Sequence, residues 1–233
     1  MLVLAVPQGP PGHPLRGAAC RRAVFGAVDR VAVAASLDPS NSTWQPAFSL
    51  SPPGLDSYDA DYRQFPDGQG RGEVASARED LAACGHPDGF TMTLGFGSGV
   101  AGLGSPAEVD GLLTALTASL ARVGIDGVIA RHPTKNESNP PDASQPDAVL
   151  VVLQAKAPGV NAFFDPLVHE GIAGDLGVAA LDPLLAQGPS TDPSTDPGIE
   201  RERGRMIDRL ILSTLRYLPL ATKPGPDEPL PVQ

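Results

Sequence analysis
The sequence predicts an α/β fold, a mixed β-sheet flanked by helices, and three observations carry that expectation. Ala148 to Leu153 is an unbroken, Val- and Leu-rich run, too short to span a membrane. Such a run reads as a strand buried on both faces. Phe90 to Phe96 (FTMTLGF) alternates as a strand does, and a helix with its own start signals follows it from Ser105. Along the chain the elements then read strand–helix–helix–strand–helix–strand–strand–helix–strand, the order of an α/β unit on a mixed sheet.

Taken in order, Leu2 to Val6 is a short strand, and Pro7 to Pro14 (PQGPPGHP) is a stiff, irregular connection. Leu15 to about Leu37 reads as one helix, started at Pro14 and ended at Asp38-Pro39, with Asp29-Arg30 late in it. Asp38 to Gly72 has little periodicity but holds Trp44, Tyr58 and Tyr62, so it reads as an ordered excursion packed onto the domain. Glu73 to Cys84 is a helix with Val74, Ala77, Leu81 and Cys84 on one face and Gly85 as its stop. Gly97 to Gly104 is a glycine-rich loop. Ser105, Pro106 and Glu108 then set a capping box, with Leu112, Leu113, Leu116, Leu120 and Val123 as the apolar stripe.

Ile125 to Ala130 is another strand, and Arg131 to Pro146 a polar surface loop. After the Ala148 to Leu153 strand, the stretch from Phe163 to Gly188 reads as short helical turns, including Asp182 to Ala186. Ser190 to Pro197 is a tandem STDP repeat of low complexity. Gly198 to Leu215 is a charged helix with one apolar face, Leu218 to Leu220 a terminal strand, and residues 221–233 a Pro-rich tail, so that the folded unit spans residues 1–220.

With 233 residues, 41% of them hydrophobic, the chain can build one substantial core. Its net charge of −10 repels phosphate backbones, so nucleic acid is not an expected partner. Cys20 and Cys84 have no metal-type spacing; they read as buried, unpaired thiols, with a disulfide between them the alternative in a secreted protein. Met1 to Val6 lacks the basic n-region and the length of a signal peptide, so the chain as it stands reads as cytoplasmic unless it is a piece of a longer exported protein.

The stretch Asp147 to Leu167 is the place to look for a ligand, because open α/β sheets bind at the carboxyl ends of their strands. Gln154 and Lys156 stand at that end, Pro158-Gly159 turns the chain, and Phe163 re-anchors it. Lys156 reads either as a lysine snorkelling off the sheet edge or as a cation in a ligand cleft. Trp44 either stacks on a ligand or covers the core. Gly95 to Gly99 fits neither dinucleotide-binding nor P-loop spacing. His13, His86, His132 and His169 form no ligand pair, so no metal and no cofactor is expected. No nucleophile, base and oxyanion site assemble, and catalysis is not expected.

Several stretches resemble, in series, the second lobe of the extracytoplasmic solute-binding proteins of peptide-type ABC transporters, solute-binding protein family 5. They are Cys20 to Arg30, Ser51-Pro52-Pro53-Gly54 with Tyr58, Ala77 to Thr91, Leu116 to Ile125, Phe163 to Leu167, Leu181 to Leu185, and Met206 to Leu220. The resemblance implies a single lobe of a class II periplasmic-binding-protein-like fold. It also implies a non-catalytic ligand-binding role in an extracytoplasmic protein, membrane-anchored at full length, whose partners are a small-molecule or peptide-like ligand, the first lobe and an ABC permease. Ligand contacts would come from Gln154, Lys156, Trp44 and Phe163. Where peptide-binding members carry an acid for the peptide's amino group, the aligned residue is Lys156. A cation there repels an α-ammonium by up to roughly 4 kcal/mol at close range, which implies an anionic or non-peptide ligand. The Ala-, Gly- and Pro-rich character is also similar to that of actinobacterial lipoproteins of the LpqW type, which implies as the alternative an envelope lipoprotein domain that binds a protein or glycolipid partner.

Overall fold
The computed structural model describes residues 1–38, 43–65, 69–96, 100, 103, 105–131, 146–154, 160–169, 176, 178–186 and 197–223. Six strands form one mixed sheet: β1 (Leu2–Ala5), β2 (Gln45–Pro46), β3 (Thr91–Phe96), β4 (Asp126–Arg131), β5 (Ala148–Val152) and β6 (Tyr217–Thr222), in the spatial order β2-β6-β1-β5-β3-β4. The chain thus has the mixed sheet that the pattern of elements predicts. β3 runs parallel to both β4 and β5, whereas β1 is antiparallel to β5 and β6, and β2 to β6.

The central strands are continuous apolar runs because both sheet faces are covered. Successive side chains of a strand point to opposite faces. Leu2 and Leu4 of β1 therefore join one core cluster, with Met92, Leu94, Leu150 and Leu218, while Val3 and Ala5 join a second, with Tyr217. Helices α1 (Ala18–Ala27), α2 (Arg30–Leu37), α3 (Val74–Ala83) and α4 (Pro106–Ala121) supply the first cluster. Helices α5 (Val160–His169), α6 (Leu181–Ala186) and α7 (Pro197–Ser213) supply the second.

Three expectations need correction. The single helix over Leu15 to Leu37 is a 3-10 turn (Pro14–Arg16) followed by α1 and α2. The break falls at Val28 and Asp29, where the backbone is extended and the Asp29 carboxylate accepts the Ala32 N–H at 2.9 Å, capping a new helix. Second, the region expected to hold only short helical turns contains the ten-residue α5, whose Phe163, Phe164, Leu167 and Val168 recur at helical spacing and are buried. Third, Cys20 and Cys84 are not free thiols. They form a disulfide, with Cα atoms 5.5 Å apart, that joins the first turn of α1 to the residue after α3.

Other local signals translate directly. The Ser105–Glu108 capping box is present, with Pro106 in the first turn of α4. The excursion after α2 is packed as expected, with Trp44, Leu50 and Phe65 buried. Gly89 (φ +86°) and Gly124 (φ +89°) are forced by a close backbone approach, since a Cβ on Gly89 would lie 1.9 Å from the Gly124 carbonyl oxygen. Most of the glycine-rich loop at Gly97 to Gly104 and residues 132–145, 187–196 and 224–233 lie outside the described residues, while β4 runs on to Arg131 and β6 to Thr222.

Candidate functional site
β3, β4 and β5 run in one direction, so their carboxyl ends emerge together. The antiparallel strands bring other residues to the same end: Leu2 is opposite both Val152 and Ala221, and Gln45 is opposite Thr222. Met1, Gln154, Lys223 and Trp44 therefore share this end of the sheet. Leu153 is held there by its N–H donating to the Met1 carbonyl at 2.8 Å, and Gln154 beyond it is exposed. Trp44 is only 7% exposed and packs in the first core cluster, with the Lys223 ammonium 5.1 Å from its ring centroid. Three strand spacings, roughly 14 Å, separate Gln154 from Trp44.

Phe163 does not join them at the surface. It is 5% exposed, in the second core cluster, edge-to-face with Phe164 at 5.1 Å. Lys156 lies outside the described residues. The structure thus gathers Gln154 and Trp44 at the carboxyl end and puts Phe163 beneath a sheet face.

The opposite end of the sheet is closed by polar contacts. Asp147, just before β5, accepts the Thr93 N–H at 2.7 Å and pairs with His13 Nε2 at 2.8 Å. His13 Nδ1 accepts the Leu15 N–H, which leaves Nε2 as the N–H donor to the carboxylate. Arg216 donates to the carbonyls of Val6 and Pro7. These contacts tie down the end of the sheet opposite Gln154.

Two buried polar centres escaped the sequence reading. Asp208 on α7 is 3% exposed; it accepts from the Ser49 hydroxyl and from the backbone N–H groups of Leu50 (3.0 Å) and Ser51 (3.4 Å), so one carboxylate clamps the excursion onto α7. Burial pushes its pKa above the ordinary carboxylate range, and the hydrogen bonds from Ser49, Leu50 and Ser51 oppose that shift. Arg203, 6% exposed, donates to Asn161 of α5, to the Leu184 carbonyl of α6 and to Glu200 of its own helix, tying three helices together. The signal for Asp208 was present, since it sits beside Ile207, Ile211 and Leu212 on the apolar side of α7.

Two surface depressions lie away from the carboxyl ends of the parallel strands. One, about 240 Å³, opens between α1 and α3 over Phe65 and Ala77, rimmed by Glu73, Glu79 and the Arg22–Asp80 pair. The other, about 610 Å³, is a broad hollow around His13, Arg16, Cys84 and His86. Among the described residues no group of three or more His, Cys, Asp or Glu could hold a metal ion, and no helix is long and apolar enough to cross a membrane.

No family model and no curated protein matches the sequence. Solved structures do match. The clavulanic acid biosynthesis oligopeptide binding protein 2 superposes with a TM-score of 0.71 at 24% identity, over 97% of this chain and 42% of its own. A dipeptide binding protein from Pseudoalteromonas sp. SM9913, in complex with Met-Leu, gives 0.73 at 16% identity, over 96% and 42%. The binding protein AgaA from A. tumefaciens R10, in complex with agropinic acid, gives 0.67 at 18% identity, over 96% and 45%. The fold is that of one lobe of a periplasmic binding protein. The chain spans less than half the length of these structures, and the likeness covers nearly all of it.

Proposed function
We propose that the chain is the ligand-binding second lobe of an extracytoplasmic solute-binding protein of an ABC import system, and that it is not an enzyme. The observation that carries this reading is the convergence of three parallel strand ends, with Gln154 exposed among them, in a fold shared with binding proteins over nearly the whole chain. In this reading the other lobe of the same protein closes over that end, and an ABC permease receives the solute. The Cys20–Cys84 disulfide supports an extracytoplasmic setting, because such bonds persist in oxidising compartments. Anchoring to a membrane in the full-length protein belongs to the same proposal.

The ligand is anionic or non-peptide. Lys156 stands where peptide binders of the resembled family carry an acid, and Gln154 and Trp44 are its proposed neighbours, with Phe163 supporting the segment from below. One structural neighbour is complexed with agropinic acid, so this fold admits such ligands.

The test is a thermal-shift screen of the full-length protein with dipeptides against acidic non-peptide solutes. Stabilisation by acidic solutes alone supports the reading. Stabilisation of the unaltered protein by dipeptides overturns the ligand assignment, and silence with a co-purifying envelope protein favours a non-transport envelope role instead. A Lys156→Asp variant is expected to gain dipeptide affinity; no gain counts against the placement of Lys156.

A further inference from the structure
The two sulfurs of the disulfide are not equivalent. Cys20, in the first turn of α1, is 1% exposed inside the first core cluster. Cys84 follows α3, is half-buried and forms part of the wall of the 610 Å³ hollow. Thiol–disulfide exchange needs a sulfur that an incoming thiolate can reach, and it runs faster when the departing thiolate is stabilised. Access singles out Cys84. With Cys84 the sulfur attacked, Cys20 is the sulfur that departs.

The hollow has a charge of its own. Arg16, His13 and His86 line it beside Gly17 and Ala18, and among the described residues no carboxylate does, on a chain whose net charge is −10. His13 is engaged with Asp147, whereas Arg16 is exposed. An anionic thiol or disulfide is drawn to such a surface more than a neutral one.

We propose that Cys84 is the thiol-exchange site of this chain and Cys20 its resolving thiol, so that the chain acquires its disulfide from a small or protein-borne disulfide oxidant entering at the hollow. The Cys84 thiolate attacks one sulfur of the oxidant, forms a mixed disulfide and expels the first thiolate. The Cys20 thiolate then attacks the Cys84 sulfur and expels the second. Two electrons and the two thiol protons pass to the oxidant, which leaves as two thiols. In reverse, a thiol such as glutathione attaches at Cys84 and frees Cys20.

The test uses the oxidised protein. It is incubated with reduced glutathione, quenched with acid, capped with N-ethylmaleimide and peptide-mapped. Glutathione is expected on Cys84 and maleimide on Cys20; adducts chiefly on Cys20, or shared equally, overturn the proposal. Should no mixed disulfide accumulate, the single thiols decide. Cys84 in a Cys20→Ser variant is expected to react with an aromatic disulfide reagent at least about 100-fold faster than Cys20 in Cys84→Ser, the difference being access. Equal rates sink the assignment. Arg16→Glu is expected to slow exchange with glutathione about fivefold and leave exchange with neutral mercaptoethanol unchanged. Equal slowing of both removes the electrostatic part.

Discussion
The two sides of the sheet are held by different physics. On the side of α1 to α4 an extended apolar cluster does most of the joining, reinforced by a covalent link between α1 and the end of α3, with the buried Arg21 and Arg30 donating to backbone carbonyls. On the side of α5 to α7 the apolar cluster is smaller, and buried polar groups do much of the joining: Asp208 to the excursion, and Arg203 to α5 and α6. Apolar burial is non-directional and tolerates small shifts, whereas a buried carboxylate with several donors tolerates almost none. The second side is therefore more specific in geometry and more exposed to single substitutions, and it carries α5, the helix that follows the candidate ligand segment.

The comparison can be broken most severely by removing the covalent link. Replacing both Cys20 and Cys84 with Ala should cost about 4 kcal/mol, given the 64-residue separation they close, measured by urea unfolding. A loss below 1 kcal/mol would mean that the first side does not depend on the covalent link.

On the second side, Asp208→Ala takes the carboxylate acceptor from the buried Leu50 N–H and Ser49 hydroxyl and should cost about 3 kcal/mol in the same assay. The acidity of Asp208 sharpens this. Burial raises its folded pKa above the unfolded value, so the folded state holds the proton more tightly. Its contribution is fully present below the unfolded pKa and is lost as pH rises through the folded one. Asp208→Asn should flatten that part of the stability–pH curve, and an unchanged slope would show that Asp208 is not its source.

Smaller effects test the packing. A Cβ on Gly204 would stand 2.5 Å from the Ser57 Cβ and 2.9 Å from Val160 Cγ2, so Gly204→Ala should cost about 2 kcal/mol and loosen the excursion, read by amide exchange at Leu50 and Ser51. The smallest effect belongs to the exposed pair between α1 and α3. Arg22 grips Asp80 through three contacts of 2.6–2.9 Å, yet its side chain is 48% exposed, and a double-mutant cycle should give a coupling of only about 0.5 kcal/mol.

Much of the fold was legible because it rests on short-range patterns. The alternation in Phe90 to Phe96, the apolar run at Ala148 and the Ser105–Glu108 cap each describe a local choice that the structure keeps. The helix break at Asp29 was missed because small apolar residues continue the helical pattern across it, while the carboxylate competes for the backbone N–H of Ala32. The candidate site was only half legible. Position along a strand predicts which end Gln154 occupies, but not that Phe163 turns into the core.

What the sequence by itself determined is most of the elements, without the break at Asp29, α5 or the short β2, and the polar residues that end the central strand, because periodicity and turn chemistry act within a few residues. What only the tertiary structure decided is which distant groups meet: Cys20 with Cys84, Asp208 with Ser49 to Ser51, Arg203 with Asn161, and His13 with Asp147. Those meetings depend on how helices pack over a shared sheet, and a linear sequence carries no local signal for a contact made across 64 or 159 positions.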